Sequence, residues 1–278
     1  MAVWFVTGAS RGFGASIVEE ALARGHAVVA TGRSVEALER RFADADRERL
    51  LTVPLDVTDA ATVEAAVASA VDRFGRIDAL VNNAGQGLVG AVEEVSDAET
   101  RSLMETNLFG VLGVTRAVLP VMREQGSGHV IMISSYGGFT QPGVGFGIYG
   151  ASKFAMEGFS ESLSHEVREL GIRVTVVEPG SFRTDFLESD SVRVAEGRIA
   201  DYASLLDPLR SFVEGGSGTQ PGDPAKAAAA ILTFVESGAE AFRLPLGEDA
   251  LAAVAAKLEQ VAADLEVVRA LGFTTDHD

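Results

Sequence analysis

The 278-residue sequence predicts an α/β fold: a doubly wound parallel sheet with helices on both faces, in one domain. Three observations predict it. Short β-rich runs alternate with helical patterns along the chain. Several of those runs are continuously apolar, as strands covered on both faces are. A glycine-rich turn joins the first run to the first helical pattern, where a fold of this class holds a dinucleotide.

The runs expected as strands are residues 3–7, 27–31, 50–56, 79–82, 129–134, 173–178 and 242–244. Between them, Ile17, Ala21 and Leu22 share one face of the first helix, and Val63, Val67 and Val71 recur every fourth residue in the third. Asp223-Pro224 reads as a helix start, a capping side chain before a proline at the first helical position. Two stretches depart from the alternation. Residues 181–222 carry scattered Phe, Leu and Asp and a Gly-Gly-Ser-Gly run, and are expected to form a substrate lid. Residues 248–271 form a C-terminal helical extension in which Leu251, Val254, Leu258, Val261, Leu265 and Val268 follow a 3-4-3-4-3 spacing. That seam reads either as a coiled-coil face or, the preferred expectation, as packing on the chain's own domain.

Charge and composition exclude several functions. Lys and Arg number 23 against 40 acidic residues, a net charge of −17. So acidic a chain is a poor binder of nucleic acid or of an anionic membrane. With no cysteine, disulfides, thiolate metal sites and cysteine nucleophiles are out. His26, His129, His165 and His277 are scattered without zinc spacing, so no metal is expected. None of the three lysines, Lys153, Lys226 and Lys257, completes a phosphate-loop NTPase motif. The opening residues lack a basic leader, their apolar run ends at Gly8, and no window is long enough for a span. The expectation is a cytoplasmic protein without a membrane segment.

The glycine turn runs Thr7-Gly8-Ala9-Ser10-Arg11-Gly12-Phe13-Gly14. Glycines let backbone N–H groups approach a pyrophosphate, and the helix N-terminus adds partial positive charge. An ordinary βα turn is the competing reading. The second strand then bears on which dinucleotide. An NAD site places an acid at the end of that strand for the ribose hydroxyls. Here Gly32 takes that place and Arg33 follows. An acid repels a 2′-phosphate, whereas a guanidinium receives one as a planar charged fork. Arg33, with Arg11 in the neighbouring loop, therefore favours NADP(H) over NAD(H); the competing reading of each is a solvated surface charge.

Tyr149-Gly150-Ala151-Ser152-Lys153 sets Tyr and Lys four residues apart on one helix face, their Cβ atoms about 5–6 Å apart. A neighbouring ammonium lowers a phenol's pKa and makes it a usable proton donor to a carbonyl, or a base toward an alcohol. Ser134-Ser135 ends a strand at the sheet's carboxyl edge, where ligand-facing residues sit. A hydroxyl there can hold a substrate oxygen; a turn cap is the alternative. Asn107 lies within a helical pattern, either bonded to main chain or anchoring a water near the Lys.

Together these residues resemble the short-chain dehydrogenase/reductase family over roughly residues 1–185. The glycine loop, Asn82-Asn83-Ala84-Gly85, Asn107, Ser135, Tyr149, Lys153 and Pro179-Gly180 stand in the family's order. Phe154-Ala155-Met156-Glu157-Gly158 and residues 178–184 are similar to the 17-beta-hydroxysteroid and retinol dehydrogenase branch. The resemblance implies a Rossmann fold. It implies Tyr149 as acid/base, Lys153 bonding the nicotinamide ribose and tuning the Tyr, Ser135 orienting the substrate oxygen and Asn107 supporting a water relay. It further implies Asp56 and Val57 near the adenine, Asn82, Ala84 and Gly85 beside the cofactor, and Pro179, Gly180, Phe182 and Thr184 along the nicotinamide. Ser135 and Tyr149 stand 14 residues apart where relatives usually have 13, so residues 141–148 are expected to absorb one extra residue.

The function expected is NADPH-dependent reduction of an apolar ketone or aldehyde, or the reverse. A dinucleotide-sensing regulator and an epimerase or dehydratase on the same fold are the alternatives. Phe139, Val144, Phe146, Phe182, Phe186, Leu187, Tyr202 and Leu205 are expected to border the nicotinamide, and Tyr136 to reach the substrate or pack. Pairing of the helices carrying Asn107 and Tyr149 into a homodimer or homotetramer is expected, with Phe154, Phe159 and Leu163 at that surface and the C-terminal seam contributing.

Overall fold

A computed structural model describes residues 1–278 except 142, 185–190, 216–217, 276 and 278. Seven parallel strands form the central sheet: Val3–Val6 (β1), Ala27–Gly32 (β2), Leu50–Pro54 (β3), Ala79–Asn82 (β4), Gly128–Ile133 (β6), Ile172–Pro179 (β7) and Arg243–Leu246 (β9). Their spatial order is β3-β2-β1-β4-β6-β7-β9. Each expected strand is present, its ends within two residues of the sequence reading.

Strand alternation sorts the core into two layers. Phe5, Val29 and Leu80 face the helices Ala60–Phe74 (α3), Val111–Gln125 (α5) and Gly147–Val167 (α6). Trp4, Val6, Val28 and Val81 face Gly12–Ala23 (α1), Val35–Arg41 (α2) and Pro224–Ser237 (α8). Helix ends follow their capping residues. Ser34 caps α2, Asp59 caps α3 and Asp223 caps α8, each side chain accepting a backbone N–H of the first turn. Gly75, Gly126 and Gly238 end α3, α5 and α8 in the left-handed conformation.

Four features depart from the sequence reading. A second parallel sheet pairs Gly87–Val89 (β5) with Val192–Val194 (β8), tying the far side of the expected lid to the loop after β4. Asp97–Met104 (α4) runs into α5 through a π-turn, Glu105–Gly110, that carries Asn107. The C-terminal helix, Glu248–Ala270 (α9), packs on its own domain, the reading preferred above, only over its N-terminal half. Ala250 is buried and Ala253, Val254 and Lys257 are half-buried, so only the first half of the helix touches the domain; Leu251, Leu258 and Leu265 are 54%, 57% and 50% exposed. The reason is positional. β9 is the edge strand, and Gly247 at φ 99° turns the chain into a helix that leaves the sheet behind. The expected surface on α6 is also corrected: Phe154 is exposed, but Leu163 is buried and Phe159 packs on the core. No helix among the described residues is long and apolar enough to cross a membrane.

Candidate active site

The strand order reverses between β1 and β4, the position where open α/β sheets bind ligands at their carboxyl ends. A cavity of about 970 Å³ opens there. Its floor is the glycine loop: Gly8, Ser10, Arg11, Gly12 and Phe13 line it, with Gly8 at φ 64° and Gly12 at φ 55°. Gly14 lies behind the loop, where a Cβ would stand 2.4 Å from Gly8 O. Asn83 pins the turn, its Nδ2 donating to Thr7 O at 2.9 Å and Gly8 O at 3.0 Å, while Thr7 Oγ1 accepts the Asn83 and Ala84 N–H groups. The loop is thus held by its partners, with its backbone toward the cavity. It also spells Gly-x-Ser-x-Gly, the pattern of a hydrolase elbow, but no histidine among the described residues lines the cavity to serve Ser10 as base.

Arg33, Asp56 and Val57 line one end of the cavity. Hydrogen bonds from Thr58 hold the Asp56 carboxyl below its usual range, and the Arg33 charge adds to this. Gly32 needs no glycine for its backbone, and a Cβ there would meet Leu38 at an ordinary 3.8 Å. Arg11 turns partly to Ser191, donating to its Oγ at 2.7 Å. Of the expected cofactor contacts, Ala84, Gly85, Pro179, Gly180, Phe182 and Thr184 line the cavity, and Phe13 meets Phe182 edge-on at 5.1 Å. Asn82 does not. It is buried in the wall, donating to Thr115 Oγ1 at 3.0 Å. One residue further along the strand, it is Asn83 that faces the loop.

At the other end Ser135, Tyr149 and Lys153 converge. Ser135 hydrogen-bonds Tyr149 and also caps a short turn, its Oγ accepting Gly137 N–H at 3.0 Å. Ser134 also lines the cavity, but its Oγ donates to Glu157 at 2.8 Å. Burial pushes the Tyr149 phenol up to about 12, with the Ser135 bond opposing. Burial pushes Lys153 down to about 8, with the Glu157 charge opposing. Its Nζ donates to Ile133 O at 2.9 Å and lies 5.9 Å from the Tyr149 ring centroid. An ammonium has three N–H groups; the other two have no protein hydrogen-bond partner among the described residues, in a side chain that is 4% exposed. Hydroxyls of a ribose in the cavity would satisfy them, so the residues present fit a dinucleotide.

Asn107 does not reach the cavity. The π-turn directs it at the chain after β4: Oδ1 accepts Gln86 N–H at 2.8 Å, and Nδ2 donates to Gln86 O at 2.8 Å and Ser152 Oγ at 3.0 Å. Its side chain is bonded to main chain, the first of the two readings above. In the segment before Tyr149, Gln141 folds back, Nε2 donating to Gly137 O at 2.8 Å.

Sequence reasoning missed a buried ionic cluster one turn beyond Lys153. Glu157 accepts from Ser134 Oγ at 2.8 Å and pairs with Arg243, which also reaches Glu178 at 2.5 Å. Burial pushes Glu178 up to about 7, with the Arg243 hydrogen bond opposing. The cluster joins α6, β7 and β9 directly behind the reactive end. Of the apolar residues expected around the nicotinamide, Phe146 and Phe182 line the cavity. Phe139 instead lies under the Arg243 guanidinium, Tyr202 bonds Glu93, and Val144 and Leu205 are exposed; Phe186 and Leu187 fall outside the described residues. The helix Ala203–Gly215 (α7) supplies Leu209, Phe212 and Val213, and Tyr136 also lines the cavity. A buried pair, Arg210 to Glu94 at 2.6 Å, ties α7 to the loop after β5.

A family model described as short chain dehydrogenase matches residues 2–193. The chain belongs to the short-chain dehydrogenase family. It is thus an oxidoreductase by kinship. This short-chain dehydrogenase is 38% identical over 276 residues to the oxidoreductase BOA17 of Botryotinia fuckeliana, 98% of each chain being covered. It is similar to the crystal structure of a short-chain dehydrogenase from Streptomyces avermitilis, with 43% identity, 98% of each chain and a TM-score of 0.89. It also resembles a short-chain dehydrogenase/reductase from Burkholderia phymatum solved in complex with NAD, with 25% identity, 95% of each chain and a TM-score of 0.81.

Proposed function

We propose that the chain is an NADPH-dependent carbonyl reductase, reversible in principle, acting on an apolar ketone or aldehyde. The observation that carries this reading is the meeting of Tyr149, Ser135 and Lys153 in the cavity that the glycine loop opens. Bound there, the nicotinamide supplies the hydride. Ser135 Oγ holds the substrate oxygen, and Tyr149 Oη donates the proton to it. The raised phenol pKa keeps Tyr149 protonated at neutral pH, the state that reduction needs. Lys153 remains largely charged at pH 7 and stabilises the phenolate left behind. Asn107 holds the chain after β4 against α6. Phe146, Leu209, Phe212 and Val213 form an apolar wall that favours a hydrophobic substrate and excludes water.

The preference for NADP(H) over NAD(H) rests on Gly32 and Arg33. The backbone tolerates a side chain at Gly32, so the missing acid reads as room for a phosphate beside a guanidinium. The relative solved with NAD supports a nicotinamide dinucleotide in general. Exposure of Phe109 and Phe154 on the helical stretch around Asn107 and on α6 supports a homodimer or homotetramer paired there.

The test is NADPH oxidation followed at the nicotinamide absorbance across a panel of carbonyl compounds. Tyr149→Phe is expected to lose about 10²–10⁴-fold in turnover while binding NADPH as the parent does. Retained turnover in that variant overturns the assignment. Binding of NADPH with no turnover across the panel favours the sensor instead.

A further inference from the structure

The apolar face of α9 is largely uncovered by its own domain, with Val254 half-buried and the rest of it exposed. Leu251, Leu258, Val261, Leu265 and Val268 are 42–57% exposed and, with Val254, form one stripe along the helix. The 3-4 spacing is that of a helix made to pack against another helix. The helix is about 35 Å long, and its root is fixed. Ala250 is fully buried, and Asp249 Oδ2 accepts Ser181 N–H at 2.7 Å. A stripe on a held helix docks with little ordering cost.

The charges beside the stripe say what it fits. Take a two-fold antiparallel pair of α9 helices centred between residues 259 and 260. Leu251 then meets Val268 of the second copy, Val254 meets Leu265, and Leu258 meets Val261, so the whole seam is matched. On one flank Lys257 faces Asp264; on the other Glu248 faces Arg269, with Ala255 against Ala262 between them. Two-fold symmetry repeats each unlike pair. A parallel pair keeps only Asp264 against Arg269 and leaves Lys257 facing Ala262. Within its own chain Arg269 rests on Glu266, an exposed pair that contributes little and exchanges readily. We propose that α9 is a self-association surface, pairing antiparallel with α9 of a second copy of this chain.

The experiment uses the full chain and sedimentation or light scattering to follow dimer formation with concentration. Leu258→Asp with Leu265→Asp puts charge into the centre of the seam and is expected to weaken association at least about 100-fold. Lys257→Asp is expected to weaken it several-fold, and adding Asp264→Lys in the same chain to restore it. In a parallel pair Lys257→Asp would be silent. The absence of cysteine makes orientation readable by cross-linking. Under oxidation, Leu251→Cys alone should not cross-link to itself, whereas a mixture of Leu251→Cys and Val268→Cys chains should. Helix content by circular dichroism controls for folding. A chain that stays monomeric at tens of micromolar overturns the proposal. So does association unaffected by the double Asp variant, or self-cross-linking of Leu251→Cys.

Discussion

Gly14→Ala tests how the glycine loop is built. The added methyl would stand 2.4 Å from Gly8 O, 2.6 Å from Asn83 Nδ2 and 3.0 Å from Ala9 Cα. Ordinary contact begins near 3.4 Å, so the loop must open by about 1 Å. Two of these atoms are backbone, and the third is held by bonds to Thr7 O and Gly8 O, so no flexible side chain can absorb the strain. Overpacking costs about 1–3 kcal/mol, and loss of one Asn83 hydrogen bond about 1 more. The sum, about 2–4 kcal/mol, lowers Tm by roughly 5–15 °C. The same displacement moves the N–H groups that line the cavity, and NADPH affinity is expected to fall by about 10-fold or more. The control is Gly113→Ala in α5, where a Cβ meets nothing within 4 Å. It is expected to stabilise by about 0.5–1 kcal/mol. Thermal melts with and without NADPH, and a fluorescence titration, read both effects. A Gly14→Ala protein that melts and binds like the parent refutes the steric argument. One that melts lower but binds NADPH unchanged refutes the link between loop and cofactor.

Two further expectations follow from the site. Arg33→Asp should weaken NADPH by about 100-fold while leaving NADH within a few-fold, measured as the ratio of kcat/KM values; equal losses would remove the phosphate role from Arg33. Glu178→Gln should change how stability depends on pH. The native carboxyl titrates near 7, above its ordinary 4.5, so the folded chain holds that proton more tightly. Its contribution is present below about pH 4.5 and is lost as pH rises through about 7. His129 opposes this. Burial pushes it down to about 3, so it contributes a stability gain as pH rises from about 3 to 6.5. Removing the Glu178 titration should therefore make the Tm of the variant minus that of the parent more positive at pH 8 than at pH 5. An equal difference at both pH values contradicts the cluster's assignment.

The central sheet was legible because its strands are continuous apolar runs that local pattern alone identifies. β5 and β8 were not, because each has three residues and exists only by pairing across about a hundred positions of chain. Within the site, the sequence distinguished residue types but not their rotation about a strand end. Asn82 and Asn83 differ by one step, and one step turns a side chain from wall to cavity. Glu157, Glu178 and Arg243 come from three separate elements, so no local spacing marks them. The lid wall was read about one helical turn early, at Leu205 rather than Leu209, Phe212 and Val213, because α7 begins late in a stretch without periodic signal. The α9 seam was legible as a stripe, but a stripe does not say what covers it.

The π-turn at Glu105–Gly110 makes residue count itself part of the information the chain encodes. An α-helix advances about 100° per residue, and a wide turn carries an added residue without ending the helix. α4 and α5 are therefore one helical stretch with a phase step inside it. Leu103 before the step is buried, and so are Val111, Val114, Val118 and Met122 after it. Gly110 at the end of the step lies so close to Val57 that a Cβ would stand 2.7 Å away. Loss of any single residue between 105 and 110 would rotate one half of this stretch against the other, and no substitution could reset the phase.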